Sequence, residues 1–129
     1  MVPECRSAMA TEVNVTDEFK AWYEGLSEAE QDRVAFTVGL LEERGVTLPH
    51  PYSSSIKGGA SFALRELRTQ AEGDPLRTLY AFDPSRQAVL LIGGDKTGDE
   101  RFYERMIPIA ERIWNEYLEE TGQKKPKKK

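Results

Sequence analysis

The chain has 129 residues, 39% of them hydrophobic, and a formal net charge of −4. That length suits one domain with a core of useful size, and the acidic balance is not that of a typical nucleic-acid binder. No apolar run approaches the roughly 18–20 residues that span a bilayer, and one cysteine, Cys5, with one histidine, His50, excludes an internal disulfide and any multi-cysteine or histidine-rich metal site.

Residues 1–10 show no periodicity and read as a disordered N-terminus. Glu12–Val15 alternates and reads as a short first strand. Thr16 is placed to cap a helix whose first turn is acidic at Asp17 and Glu18. Phe19, Trp22, Tyr23 and Leu26 fall at i, i+3, i+4 and i+7, one apolar face. Ser27 and Glu30 form a capping-box pattern ahead of a second helix. Val34, Val38 and Leu41 line one side of that helix, and Gly45 is its stop signal. Two closely linked helices make a helical hairpin.

Residues 46–59 are rich in Pro, Ser and Gly and read as a loop. Strands are expected over 61–69 and 76–82, joined through Glu72-Gly73-Asp74-Pro75. Ala88–Ile92 is a continuous apolar run, as in a central strand buried on both faces. Gly93-Gly94-Asp95-Lys96-Thr97-Gly98 reads as a sharp exit that holds Lys96 at the sheet edge. It lacks the glycine spacing of a P-loop. Residues 99–105 read as a short helical turn. Pro108 then suits the first turn of a last helix, with Ala110, Ile113, Trp114 and Tyr117 inward. Residues 122–129 carry five lysines and no acid, a solvated and disordered tail. The order β-α-α-β-β-β-α describes a small α+β domain over 11–121: one twisted, mostly antiparallel sheet, an N-terminal helical hairpin and a C-terminal helix.

Charge is unevenly spread. Residues 11–56 hold three cations against nine acids, whereas residues 57–105 hold eight of each. In that middle part Lys57, Arg65, Arg68, Arg77 and Lys96 lie within or beside apolar strand sequence. A sheet that carries arginines among buried residues has an anion to hold or a carboxylate to satisfy. Strict alternation puts Arg65 with Ala63 and Leu67, and Arg68 with Leu64 and Glu66. Neither face is clean, so a bulge or a functional exception is expected in this strand. Arg77 aligns with Leu79 and Ala81, and an antiparallel neighbour can bring it beside Arg68. Two readings stand: Glu66 and nearby acids pair the arginines, or the arginines line a phosphate-binding face. Tyr103 and Arg101 follow the Lys96 turn and can reach back over the sheet. His50 sits between prolines in a loop and reads as solvated.

These elements resemble a known family. Phe19…Trp22…Leu26, Gly45…Leu48…Pro51, Lys57-Gly58-Gly59, Leu64-Arg65-Glu66-Leu67-Arg68, Arg77…Tyr80-Ala81-Phe82-Asp83-Pro84 and the Gly93–Gly98 turn are similar to the RelE/ParE toxin superfamily. The nearest branch is the HigB-like, phage-derived toxins of type II toxin–antitoxin systems. The likeness runs from about Glu12 to Leu118. It implies a small twisted sheet behind a helical hairpin, and a cytoplasmic, ribosome-dependent mRNA endonuclease without cofactor or metal. Its implied partners are a helix-turn-helix antitoxin, the ribosome and mRNA, with no membrane. Carried over, Lys57, Arg68, Arg77 and Lys96 match the family's basic residues, and Tyr103 is a loose match to its aromatic position; Arg68, Arg77 and Lys96 are expected to be catalytic, and Lys57, Arg65, Arg101 and Tyr103 to contact the substrate. Asp95 stands where many relatives have a first lysine, and no histidine lies near the end of the sheet. The resemblance leaves two other readings open: a ParE-like gyrase inhibitor, and a repurposed prophage protein that only binds a partner.

Overall fold

A computed structural model describes residues 10–57, 60–71 and 73–123. The expectations of disorder for residues 1–9 and 124–129 lie outside the described residues. The first strand, β1 (Val13–Val15), leads into α1 (Asp17–Glu24) and α2 (Glu28–Arg44). A single 3₁₀ turn, Gly45–Thr47, follows. Then come β2 (Ser53–Ser55), β3 (Arg65–Ala71), β4 (Asp74–Phe82), β5 (Ala88–Asp95) and α3 (Phe102–Glu120). The five strands form one open sheet in the order β1-β5-β4-β3-β2. All neighbours are antiparallel except β1 and β5, which run parallel. The molecule is therefore the α+β arrangement the element order implies, with helices on both faces.

Both N-terminal helices start where local chemistry says they should. The Thr16 hydroxyl accepts from the Phe19 amide at 3.2 Å and donates to the Leu91 carbonyl at 2.8 Å. One residue thus caps α1 and ties it to β5. At α2 the capping box is complete: Glu30 N–H to Ser27 at 3.1 Å, and Ser27 N–H back to the Glu30 carboxylate at 3.0 Å. Such caps contribute about 0.5–2 kcal/mol each.

The sheet divides the apolar residues into two cores. On one face Phe19, Val34, Leu41 and Leu48 pack on Leu67, Leu76, Tyr80 and Leu90. On the other, Phe102, Met106, Ala110, Ile113, Trp114 and Leu118 of α3 pack on Leu79, Ala81, Val89 and Leu91. The central strands β4 and β5 supply both, which is why Ala88–Leu91 are all fully buried.

The strands differ from the sequence expectation in ways that long-range packing explains. β3 starts at Arg65, not at residue 61, because Phe62 leaves the sheet and stacks on Trp114 with centroids 4.8 Å apart. Ser53–Ser55 pairs with Arg65–Leu67, inside the segment read as loop. Three serines carry no strand periodicity, and the buried Ser53 hydroxyl, 2.6 Å from the Tyr80 hydroxyl, anchors them instead. β3 runs against β4 without interruption, so the bulge expected there is absent. The register shift falls between β4 and β5, where Leu79 faces Ile92 and Tyr80 faces Leu90.

Gly93, Gly94 and Asp95 are not an exit turn; they continue β5 opposite Thr78, Arg77 and Leu76. Both glycines are needed because aromatic rings lie on the strand from opposite faces. A Cβ on Gly93 would enter the Trp22 ring, and one on Gly94 would come 2.8 Å from Phe102. Gly93→Ala should therefore cost about 1–3 kcal/mol, the usual range for overpacking a filled core. Urea unfolding measures this, and adding Trp22→Leu in the same chain should recover part of the loss. Full stability in Gly93→Ala alone would contradict the close approach.

α3 is one continuous helix with Pro108 inside it, not a short turn followed by a helix that starts at Pro108. An interior proline costs about 3 kcal/mol or more. Met106, Ile107, Ala110, Ile113 and Trp114 are buried on both sides of it, and Pro108 faces solvent. Burial on either side outweighs the lost amide. At the far end of α3 a polar network joins distant segments. Buried Asp83 accepts from the Gln87 amide at 2.9 Å and from the Tyr117 hydroxyl at 2.8 Å. Tyr117 in turn accepts from Asn14 of β1 at 3.0 Å. Burial, followed by the bond to Asp83, holds the Tyr117 pKa above the ordinary phenol value.

Candidate functional site

The candidate site lies on the α3 face of the sheet, where α3 begins. In the β3–β4 register Arg68 is directly opposite Arg77, and Glu66 opposite Leu79. Residues opposite in an antiparallel pair share a face, so Glu66, Arg68 and Arg77 project to one side together. The hairpin between β3 and β4 and the alternation of each strand are enough to produce this. β2 contributes from the edge: Ser54 pairs with Glu66 in register, and its hydroxyl donates to Glu66 Oε2 at 3.0 Å.

Glu66 is the hub. It is only 6% exposed, as is Arg77. Tyr103, in the first turn of α3, donates to Glu66 Oε1 at 2.5 Å. Arg77 Nε stands 3.6 Å from the same oxygen, within ion-pair range, yet makes no hydrogen bond. Among the described residues it is the one buried side-chain nitrogen or oxygen without a hydrogen-bond partner. Arg77 Nη1 donates to the Leu76 carbonyl at 3.1 Å. Leaving a buried donor unpaired costs free energy, so this guanidinium holds capacity for a further acceptor.

Tyr103 keeps its proton at neutral pH. Burial, then the hydrogen bond and charge of Glu66, raise its pKa above the usual phenol value, and Arg77 opposes this only in part. Lys96 completes the group, its Nζ 5.5 Å from the centre of the Tyr103 ring. Lys96 follows the last residue of β5, and its amide bonds to the Pro75 carbonyl at 2.9 Å. Asp95 has a local job: its carboxylate accepts from the Thr97 amide at 2.9 Å and hydroxyl at 2.6 Å. That bonding shapes the turn that carries Lys96.

The other sequence candidates are distributed differently. Arg65 lies on the opposite face, opposite Tyr80, and donates to the Ser53 hydroxyl at 3.1 Å. Arg101 is at the solvent-exposed start of α3 and pairs with Glu104 at 3.7 Å. Lys57 is exposed two positions past β2. His50 is exposed but has a partner: Arg68 Nη1 donates to its Nε2 at 3.3 Å. Arginine has no acceptor, so this bond needs Nε2 unprotonated. The sequence reading named Glu66 only as a possible partner of arginines and missed Ser54. The signal for Glu66 was an acid at an inward strand position; Ser54 had none.

The chemistry assembled is compact. One buried carboxylate accepts from a tyrosine and a serine, and two arginines and a lysine stand around it. It offers a proton acceptor, a proton donor and cations for a phosphate, and nothing resembling a metal site: the described residues hold no cluster of three or more His, Cys, Asp or Glu able to bind one. No helix among the described residues is long and apolar enough to cross a membrane.

Comparison with known proteins places the chain in a family. "Putative toxin HigB3" of Mycobacterium tuberculosis is 38% identical over 98 residues, 75% of this chain and 84% of that protein. "Putative toxin HigB2" of the same organism is 32% identical over 115 residues, 88% of this chain. The chain spans only 57% of the length of HigB2. No solved structure matches. A family model described as "Phage derived protein Gp49-like (DUF891)" matches residues 21–115, a stretch that holds the second half of α1, all of α2, β2 to β5, most of α3 and every member of the Glu66 cluster. The chain belongs to this phage-derived Gp49-like family.

Proposed function

We propose that this chain is the toxin half of a type II toxin–antitoxin pair and that it cuts mRNA on the ribosome. The toxin class follows its HigB relatives. The observation that carries the chemistry is the buried Arg77, its Nε without a hydrogen-bond acceptor, beside the Glu66–Tyr103 pair and opposite Arg68. In this reading a ribose 2′-hydroxyl attacks the adjacent phosphate. Glu66, the one carboxylate of the cluster, takes the hydroxyl proton. Tyr103, which keeps its proton at neutral pH, gives one to the leaving 5′-oxygen. The P–O5′ bond breaks as the P–O2′ bond forms, leaving a cyclic phosphate and a free 5′-hydroxyl. Arg77, Arg68 and Lys96 offset the negative charge that builds on the phosphate. A helix-turn-helix antitoxin would silence the protein by covering this cationic face.

Inducible expression in a bacterium, with mapping of mRNA 5′ ends, tests the reading. New ends should appear within coding regions and disappear when translation is blocked. Growth inhibition without such ends would exclude the endonuclease.

A further inference from the structure

We propose that the cleft beside the outer end of β3 is a nucleotide subsite, in which one base of a single RNA strand stacks on the aromatic rim formed by Tyr52 and Phe36 while Arg33 and Arg68 hold the flanking phosphates. The proposal extends the RNA-directed reading above and rests on RNA being the molecule this protein binds.

β2 covers β3 only from Arg65 to Leu67. The Arg68 amide reaches the Tyr52 carbonyl at 2.8 Å, and beyond that point β3 is bordered by α2. The space left is a cleft of about 280 Å³. Three of its nine lining residues are arginines, Arg33, Arg68 and Arg77, and none is acidic. This is notable on a helix as acidic as α2, which carries five acids and two arginines over Glu28–Arg44. The arginines are held in place. Arg33 Nε donates to the Gln70 carbonyl at 3.2 Å, and Arg68 is fixed by His50.

Two aromatics border the same cleft without entering a core. Phe36 is 62% exposed and Tyr52 43% exposed, whereas Phe19, Phe102 and Trp114 are all buried. Exposed rings beside arginines are the common means of holding single-stranded nucleic acid: bases stack on the rings and cations follow the backbone. Arg77 lines the cleft and also contacts Glu66. A strand with a base in the cleft would therefore bring a neighbouring phosphate to the Glu66 cluster. An acidic peptide would satisfy the arginines but gives the two flat rings no stacking partner.

The test is an NMR titration of the full chain, with a single-stranded pentaribonucleotide and, separately, a glutamate-rich peptide. The RNA should shift the amides of Phe36, Tyr52 and Arg68–Gln70, and Phe36→Ala and Tyr52→Ala should each weaken RNA binding about tenfold. Both positions are exposed, so circular dichroism should stay as in the parent. Three results would overturn the subsite: no shift at these amides with RNA, the same shifts from the peptide but not RNA, or RNA affinity unchanged in both variants. The outcome separates from the endonuclease reading. RNA binding in the cleft without translation-dependent cuts keeps the subsite and removes the endonuclease. Cuts made equally well by both aromatic variants keep the endonuclease and remove the subsite.

Discussion

Arg77→Ala should abolish growth inhibition, with mRNA cutting slowed by about 10²–10³, the usual cost of removing one preorganised group that stabilises transition-state charge. It should also melt early. Arg77 is buried 3.6 Å from Glu66, and its removal strands a carboxylate. Breaking a buried pair costs roughly 3–5 kcal/mol. Glu66 keeps its bonds from Tyr103 and Ser54, which should hold the loss toward the lower end. The two effects must be measured on one variant, by thermal melting and by toxicity well below the melting temperature. Toxicity lost in a variant that is still folded assigns Arg77 to the chemistry. The double variant Arg77→Ala with Glu66→Gln removes the stranded charge, so its stability should recover; it reads the ion pair alone, because Glu66→Gln is itself expected to slow cutting. Full toxicity in Arg77→Ala would end the catalytic role. Toxicity lost only at temperatures where Arg77→Ala has melted would make Arg77 a structural partner of Glu66 only.

Glu66→Gln should slow cutting by about 10²–10⁴, the range for loss of a positioned general base. The amide keeps the size of the side chain and can still accept from Tyr103. The negative charge nearest Arg77 is gone, so RNA binding should be unchanged or tighter. A lost rate with undiminished binding marks a base, because the interaction removed belongs to the transition state. Arg77→Ala should instead weaken both. Single-turnover cutting and RNA affinity on purified protein give the two numbers. A normal rate in Glu66→Gln below its melting temperature would leave Glu66 as an anchor for Arg77 and nothing more.

These two variants test a site that was only half legible in the chain. Alternation along 64–68 and 77–81 assigned Arg68 and Arg77 each to a strand face. The turn between the strands brought the two faces together, and the register places the two side by side. Glu66 became the centre only when Tyr103 arrived from a helix 37 residues away. Arg65 shows the limit from the other side: one residue along a strand moves a side chain to the opposite face, so the same run of cations is divided between two environments.

By itself the sequence determined what is decided within a few residues. Thr16 and the Ser27–Glu30 box start two helices, because a side-chain oxygen three positions away satisfies an open amide. Gly45 ends α2, and the apolar spacing selects the faces of α1 and α2 that meet the sheet. Tertiary structure alone decided the rest. β1 runs parallel to β5, a partner 75 residues away, and β2 is a strand only because Ser53 and Ser54 find Tyr80 and Glu66. Gly93 and Gly94 stay in strand geometry because Trp22 and Phe102 occupy the space a side chain would need. α3 runs through Pro108 because the apolar residues on both sides bury together. In each case the deciding energy is a contact between distant segments, which no local pattern of residues encodes.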